Sequence, residues 1–203
     1  MNQDLKRYED DARSRGYCRV AGVDEVGRGP LAGPVVAAAV IWDEAIALGG
    51  IRDSKQLTPR KRFAAYQDIC REALAIGIGV IDAEVIDRIN ILQSALLAMT
   101  VAVEHLDPPA DFLLIDGNHC TSLPLPQIAI IKGDARSISI AAASIVAKVT
   151  RDHLMERYHA QYPVYGFAQH KGYPTRAHRD AVKTYGACPI HRRSFKGVKE
   201  FFS

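Results

Sequence analysis

Apolar positions along the chain fall into two periodicities, and these separate strands from helices. Residues from about 18 to 26 form an apolar run ending in two acids, and Val35 to Trp42 is apolar throughout, so two strands are predicted, the second covered on both faces. Pro30, Gly33 and Pro34 punctuate the short connection, which suits an antiparallel pair. Thr58-Pro59 opens a helix running from Arg60 to Ala75, with Thr58 as N-cap and Pro59 at the first helical position. Ile76 to Ile81 is a third strand. Between Ala83 and Leu106, the residues Val85, Ile89, Leu92, Leu96, Met99 and Val103 recur three or four apart, describing an amphipathic helical stretch with a break expected near Asn90. Pro108-Pro109 ends it. Phe112 to Ile115 and Ile128 to Ile131 are two more short strands, and a long helix follows from about Ser137 to Tyr158. The pattern predicts an α/β fold with one mixed five-stranded sheet flanked by helices.

Composition bounds the fold without changing it. A chain of 203 residues, 48% hydrophobic and 24% charged, is long enough for one α/β domain with a sizeable core. No apolar run approaches the ~18 to 20 uncharged residues of a membrane span, and the stretch from Met1 to Asp11 is too charged for a signal peptide. A cytoplasmic setting is therefore expected. Cys18, Cys70, Cys120 and Cys188 are scattered singly, which suggests reduced thiols and neither a zinc site nor a disulfide framework.

Charge does change the picture, through its distribution. The net charge is only +3, yet from Lys148 to Ser203 there are eleven Lys and Arg against four Asp and Glu, so this quarter carries +7 and the rest −4. Five of the seven histidines lie in the same quarter. A basic segment attached to an acidic core suits a polyanion held by one part and presented to the other, and equally suits a solvated basic surface. The expected division is a core at 1–160 and a basic C-terminal helical segment at 161–203 that completes a groove.

The candidate chemistry lies at strand ends. Asp24-Glu25-Val26-Gly27-Arg28-Gly29 spends two acids where an apolar run opens into a glycine-rich loop, and Asp116 and Asp134 each follow a predicted core strand. Each of these, taken alone, also reads as a solvated turn residue. If the first, fourth and fifth strands lie parallel and side by side, however, their ends converge on one edge of the sheet, where open α/β sheets bind ligands. Crowded carboxylates raise one another's pKa unless cations compensate. Mg²⁺ or Mn²⁺ suits an all-oxygen set better than zinc, since no His or Cys stands at ligand spacing with the acids. Two such ions about 3.5 to 4 Å apart can clamp an in-line phosphoryl displacement.

Six motifs carry a resemblance: Asp24-Glu25-Val26-Gly27-Arg28-Gly29, Asp53-Ser54-Lys55, Ile115-Asp116-Gly117-Asn118, Lys132-Gly133-Asp134, the segment Ala141 to Asp152, and His170-Lys171-Gly172-Tyr173-Pro174-Thr175. In this order they resemble the bacterial ribonuclease HII family of type 2 ribonucleases H, from about residue 20 to residue 197. The resemblance implies a ribonuclease H-like sheet with a small C-terminal helical subdomain. It also implies cleavage of RNA paired with DNA, with cutting 5′ of ribonucleotides embedded in duplex DNA to leave 3′-hydroxyl and 5′-phosphate ends. Carried over by motif, Asp24, Glu25, Asp116 and Asp134 would be catalytic and metal-binding. Gly27, Arg28 and Gly29 would contact the ribose 2′-hydroxyl, largely through the backbone, and Tyr173 would stack on the sugar at the RNA-to-DNA junction. Other acid-cluster nucleases of the superfamily would not be expected to combine the Gly-Arg-Gly loop with the Tyr173 motif.

Helical spacing and the resemblance together extend the site. Ser144, Lys148 and Arg151 fall at i, i+4 and i+7 beside an apolar stripe of Ile138, Ala142, Ile145 and Val149. Ser144 and Lys148 are expected to contact the nucleic-acid backbone, while Arg151 is read as solvated surface or a third such contact. Lys55 is expected to reach the substrate from the opposite side. Asp152, four turns into the helix, is the rival of Asp134 for the fourth acid; His170 and Lys171 are left without a catalytic role. At the tail, Val198, Phe201 and Phe202 resemble sliding-clamp-binding peptides, except that Phe195 stands where those carry glutamine; chance or a docked tail is the competing reading. Nothing demands more than a monomer.

Overall fold

The structure, a computed structural model, describes residues 5–42 and 57–202. β1 (Val20–Val26) and β2 (Val35–Ile41) form the expected antiparallel pair, and β2 is buried at every position. β3 (Ala75–Ile81) adds antiparallel to β2, while β4 (Phe112–Asp116) and β5 (Gln127–Ile130) run parallel to β1, giving the order β3-β2-β1-β4-β5. The parallel arrangement of the first, fourth and fifth strands is thus present.

Helices cover both faces. α2 (Pro59–Glu72) starts as expected, with the Thr58 hydroxyl accepting from the Lys61 amide at 3.3 Å. It ends early because Ala73 turns extended to enter β3. α3 (Ala83–Glu104) is kinked at Asn90, whose φ of 67° breaks the ladder and whose Oδ1 recaps it by accepting from the Leu92 and Gln93 amides. By length and hydropathy α3 would pass for a membrane span, yet Ile86, Ala95, Ala98, Met99 and Val103 form a core with inward residues of the sheet.

α4 (Ile138–Gln161) lies on the other face, capped by the Ser137 hydroxyl, and its apolar stripe packs on Ala38, Val40 and Trp42. It approaches β1 closely at Gly22, where any Cβ would run into the backbone of Ser139 and Ile140. That contact sets the register of the site. Asp24 shares the face of Gly22, and two strand residues advance by about 7 Å, the same distance as the four to five helical residues from Ser139–Ile140 to Ser144. α1 (Arg7–Ser14), which the sequence reading did not anticipate, is anchored by the buried Glu9. Glu9 Oε1 accepts from the Ser137 and Ser139 hydroxyls, each at 2.6 Å, and from the Ser139 amide at 3.1 Å.

α5 (Phe167–His170) and α6 (Arg176–Tyr185) enclose a second cluster of Met155, Tyr165, Phe167, Val182 and Cys188. This C-terminal part is bonded into the loop after β1. The Leu31 amide donates to Gly172 O at 2.8 Å, the Gly33 amide to Ile190 O at 2.9 Å, and the Arg192 amide to Leu31 O at 2.8 Å.

Candidate active site

Strand register brings the acids together. Val23 pairs with Ile115 across β1 and β4, so Asp24 and Asp116 are the next residues out on adjacent strands, and Asp116 pairs with Ile130 at the end of β5. Beyond Val23 the β1–β4 ladder stops, and both Asp24 and Glu25 line one open pocket of about 290 Å³ despite the alternation of a strand. Asp116 forms another wall, and Ser144 and Lys148 from α4 complete it with Arg62 from α2. Five of the residues singled out from the sequence, on three elements, thus share one pocket.

Asp134 does not line it. It is 6% exposed in a 3₁₀ turn at Gly133–Ala135, one residue from the Gly133 amide that donates to Asp116 Oδ1 at 2.6 Å. The turn that carries it is thus tied to the cluster by the Gly133–Asp116 hydrogen bond. The rival acid, Asp152, pairs with Lys148 at 2.7 Å, one turn along α4. Lys55 lies outside the described residues.

Among the described residues the pocket's negative charge is only partly compensated. Burial, reinforced by the charges of Glu25 and Asp116, pushes the Asp24 carboxyl well above its ordinary value, against a hydrogen bond from Ser144 that favours the charged form. Ser144 thus serves Asp24 directly. Burial also raises Glu25, opposed by the Arg28 guanidinium 3.2 Å away. Among the described residues no cation pairs with Asp24 or Asp116: Lys148 is taken by Asp152, and Arg62 donates to Leu57 O at 2.9 Å. Arg62 lies in the helix opened by Thr58-Pro59, and nothing in its local pattern marks it as a pocket residue.

These donors fit a hard divalent cation, since they are oxygens, crowded, and short of positive charge. Among the described residues no three or more Asp, Glu, His or Cys are gathered into a ready metal cage.

Next to the pocket lies the loop from Gly27 to Pro34. Gly29 faces the Tyr173 ring, which a Cβ there would meet at 3.7 Å, and Tyr173 is 40% exposed. Arg151 is neither solvated surface nor a phosphate contact. It is 0% exposed and donates from all three guanidinium nitrogens to backbone carbonyls, because the C-terminal part docks over that end of α4. Arg192, which the sequence reading passed over, is equally buried. The tail is docked as well: Val198 is 0% exposed, leaving Phe201 and Phe202 as the presented residues of the three compared with clamp-binding peptides.

A mixed sheet of this order, helices on both faces and acids at adjacent strand ends, defines the ribonuclease H-like class of α/β proteins. The profile of the family described as Ribonuclease HII matches residues 21–198, and the Ribonuclease HII of Geobacter sulfurreducens is 57% identical over 193 residues, covering 95% of this chain and 89% of that protein. The chain belongs to the ribonuclease HII family. Among solved structures, the ribonuclease H2 of Pyrococcus horikoshii superposes with a TM-score of 0.76 at 28% identity, covering 91% of this chain and 97% of that one. Bst ribonuclease HIII, solved in complex with Mn²⁺, shares the fold with a TM-score of 0.72 at 20% identity, over 94% of this chain and 71% of that one.

Proposed function

We propose that this ribonuclease HII cleaves the RNA strand of RNA/DNA hybrids and cuts duplex DNA on the 5′ side of an embedded ribonucleotide, leaving 3′-hydroxyl and 5′-phosphate ends. The observation that carries the reading is the adjacency of two parts: the carboxylate pocket at the end of β1, and the Gly27–Gly29 loop facing Tyr173. Asp24, Glu25 and Asp116 would hold Mg²⁺ or Mn²⁺ in a two-ion arrangement, with Asp134 as the fourth acid of the set. When bound, such ions activate the attacking water and stabilise the leaving oxygen. Ser144 favours the ionised form of Asp24 against its burial, and Lys148, on the pocket wall, supplies a phosphate contact, with Lys55 as a second such contact. Arg28 holds Glu25, while the loop's amides meet the 2′-hydroxyl, the group that distinguishes RNA from DNA. Tyr173 stacks on the sugar at the junction.

The proposed setting is the cytoplasm, where a monomer removes ribonucleotides and RNA primers from DNA. A sliding-clamp contact by the docked tail would rest on Phe201 and Phe202 alone. The test offers purified protein, with Mg²⁺ or Mn²⁺, a DNA duplex containing one ribonucleotide next to an all-DNA control. Cutting confined to the 5′ side of the ribonucleotide is expected. No cut there, or equal cutting of both duplexes, would overturn the reading.

A further inference from the structure

Arg151 and Arg192 are the two largest fully buried side chains in the described structure, and neither is spent on a carboxylate. Arg151 donates from Nε to Pro34 O at 3.0 Å, from Nη2 to Ala32 O at 3.2 Å, and from Nη1 to Lys171 O at 3.0 Å. Arg192 donates from Nε to Gly33 O at 3.0 Å, from Nη1 to Arg28 O at 3.0 Å, and from Nη2 to Gly27 O. Burying a guanidinium on carbonyls alone is costly, and burial pulls both groups below their ordinary values. A fold that needed only to fill this space would use apolar residues.

The carbonyls reveal the purpose. Five of the six belong to the loop from Gly27 to Pro34, and the sixth, on Lys171, is two residues before Tyr173. A trans peptide points its C=O and the following N–H to opposite sides. Turning the Gly27 and Arg28 carbonyls inward to Arg192 therefore turns the Arg28 and Gly29 amides outward, where both residues are exposed and no described residue accepts from either amide. Gly27, at φ 100°, permits the turn, and a Cβ there would be driven into the Arg151 side chain.

We infer that Arg151 and Arg192 are positioning residues that set ribonucleotide specificity: together they lock the Arg28 and Gly29 amides in register with Tyr173. The inference rests on the proposed substrate. A single embedded ribonucleotide offers one 2′-hydroxyl and one RNA-to-DNA junction, so loop and ring must both be in place at the same phosphate. A long RNA/DNA hybrid offers a 2′-hydroxyl at every step and tolerates a loosened register. The clamp therefore matters most for the single ribonucleotide.

Arg192→Lys and Arg151→Lys keep the charge and lose the planar fork that reaches three carbonyls. Each variant is assayed with Mg²⁺ on the single-ribonucleotide duplex and on an RNA/DNA hybrid. The ratio of kcat/KM on the first to that on the second is expected to fall ~10-fold or more, as a misplacement of about 1 Å can cost that much or more. A purely structural role would lower both activities together and leave the ratio unchanged, which would overturn the inference. Should Arg192→Lys fail to fold, Phe195→Leu decides: it removes the ring 5.0 Å from the Arg192 guanidinium but leaves the carbonyls. A ratio lowered about 3-fold supports the clamp, and an unchanged ratio overturns it. Wild-type protein that does not cut at the ribonucleotide would instead be a failure of the proposed substrate.

Discussion

Asp24 illustrates the conflict built into the pocket. Its carboxyl is raised by burial first and by Glu25 and Asp116 second, so the folded chain holds a proton more tightly there than the unfolded chain does. Above the ordinary carboxylate value, keeping Asp24 ionised costs stability, and that cost grows as pH rises through its folded value. Asp24→Asn removes the cost while preserving an oxygen for the Glu25 amide, which donates to Asp24 Oδ1 at 2.8 Å. In chelator at neutral pH, this variant is expected to melt about 2 °C or more above wild type, the shift that ~1 kcal/mol produces in a chain this long. Cleavage should fall at least ~10²-fold, the scale of losing an electrostatic contact at the reacting centre. A lower melting temperature by calorimetry would mean that Asp24 is not under strain. The acids themselves were legible in the sequence, because strand ends can be read from local pattern. Arg151 was not. Its spacing with Ser144 and Lys148 was read correctly, but whether that part of α4 meets water depends on residues 167 to 192, which no local periodicity reports.

At the scale of elements, the turn carrying Tyr173 is held by three histidines whose partners fix their tautomers. His170 donates from Nε2 to Tyr165 O at 2.7 Å and accepts from the Gly172 amide at Nδ1. His178 donates from Nδ1 to Tyr173 O at 2.9 Å, which leaves its Nε2 to accept from His191 Nε2 at 3.0 Å. His191 Nδ1 then accepts from the Cys188 amide at 3.0 Å. Each ring must be neutral. Burial lowers His178 and His191 from 6.5 to about 4, so between those values the unfolded chain binds more protons than the folded one. The stability they contribute is complete above pH 6.5 and lost as pH falls toward 4. His191→Gln should therefore melt well below wild type at pH 7.5, with the gap narrowing steadily toward pH 4.5 in a calorimetric series. A gap independent of pH would mean that the rings contribute packing alone. The sequence showed five histidines in a basic quarter but could not show that three of them, His170, His178 and His191, pack together, since Thr175-capped α6 and the return from Cys188 to Arg192 bring them from separate segments.

The whole molecule is less divisible than its composition suggests. A boundary near residue 160 is natural from charge, and the C-terminal part even has its own apolar cluster around Phe167 and Val182. Yet that part supplies Arg192 to the loop after β1, receives the Leu31 and Gly33 amides, and covers Arg151 of α4. Cutting there would strip the Gly27, Arg28 and Gly33 carbonyls of the Arg192 guanidinium and take Lys171 O from Arg151, each a desolvated polar group with a cost of ~1 kcal/mol or more. Two parts sharing that many buried polar bonds must melt together. Full-length protein is expected to show one calorimetric transition, with the measured enthalpy equal to the van't Hoff enthalpy and with coincident loss of the Trp42 fluorescence and far-ultraviolet dichroism signals. Trp42 sits 3% exposed in the core between β2 and α4, far in sequence from the C-terminal tyrosines, so its transition reports the sheet. Two resolved transitions, or a C-terminal part that melts before Trp42 responds, would show that the basic segment folds as a separate unit and that its clamp on the reading loop is dispensable for the core.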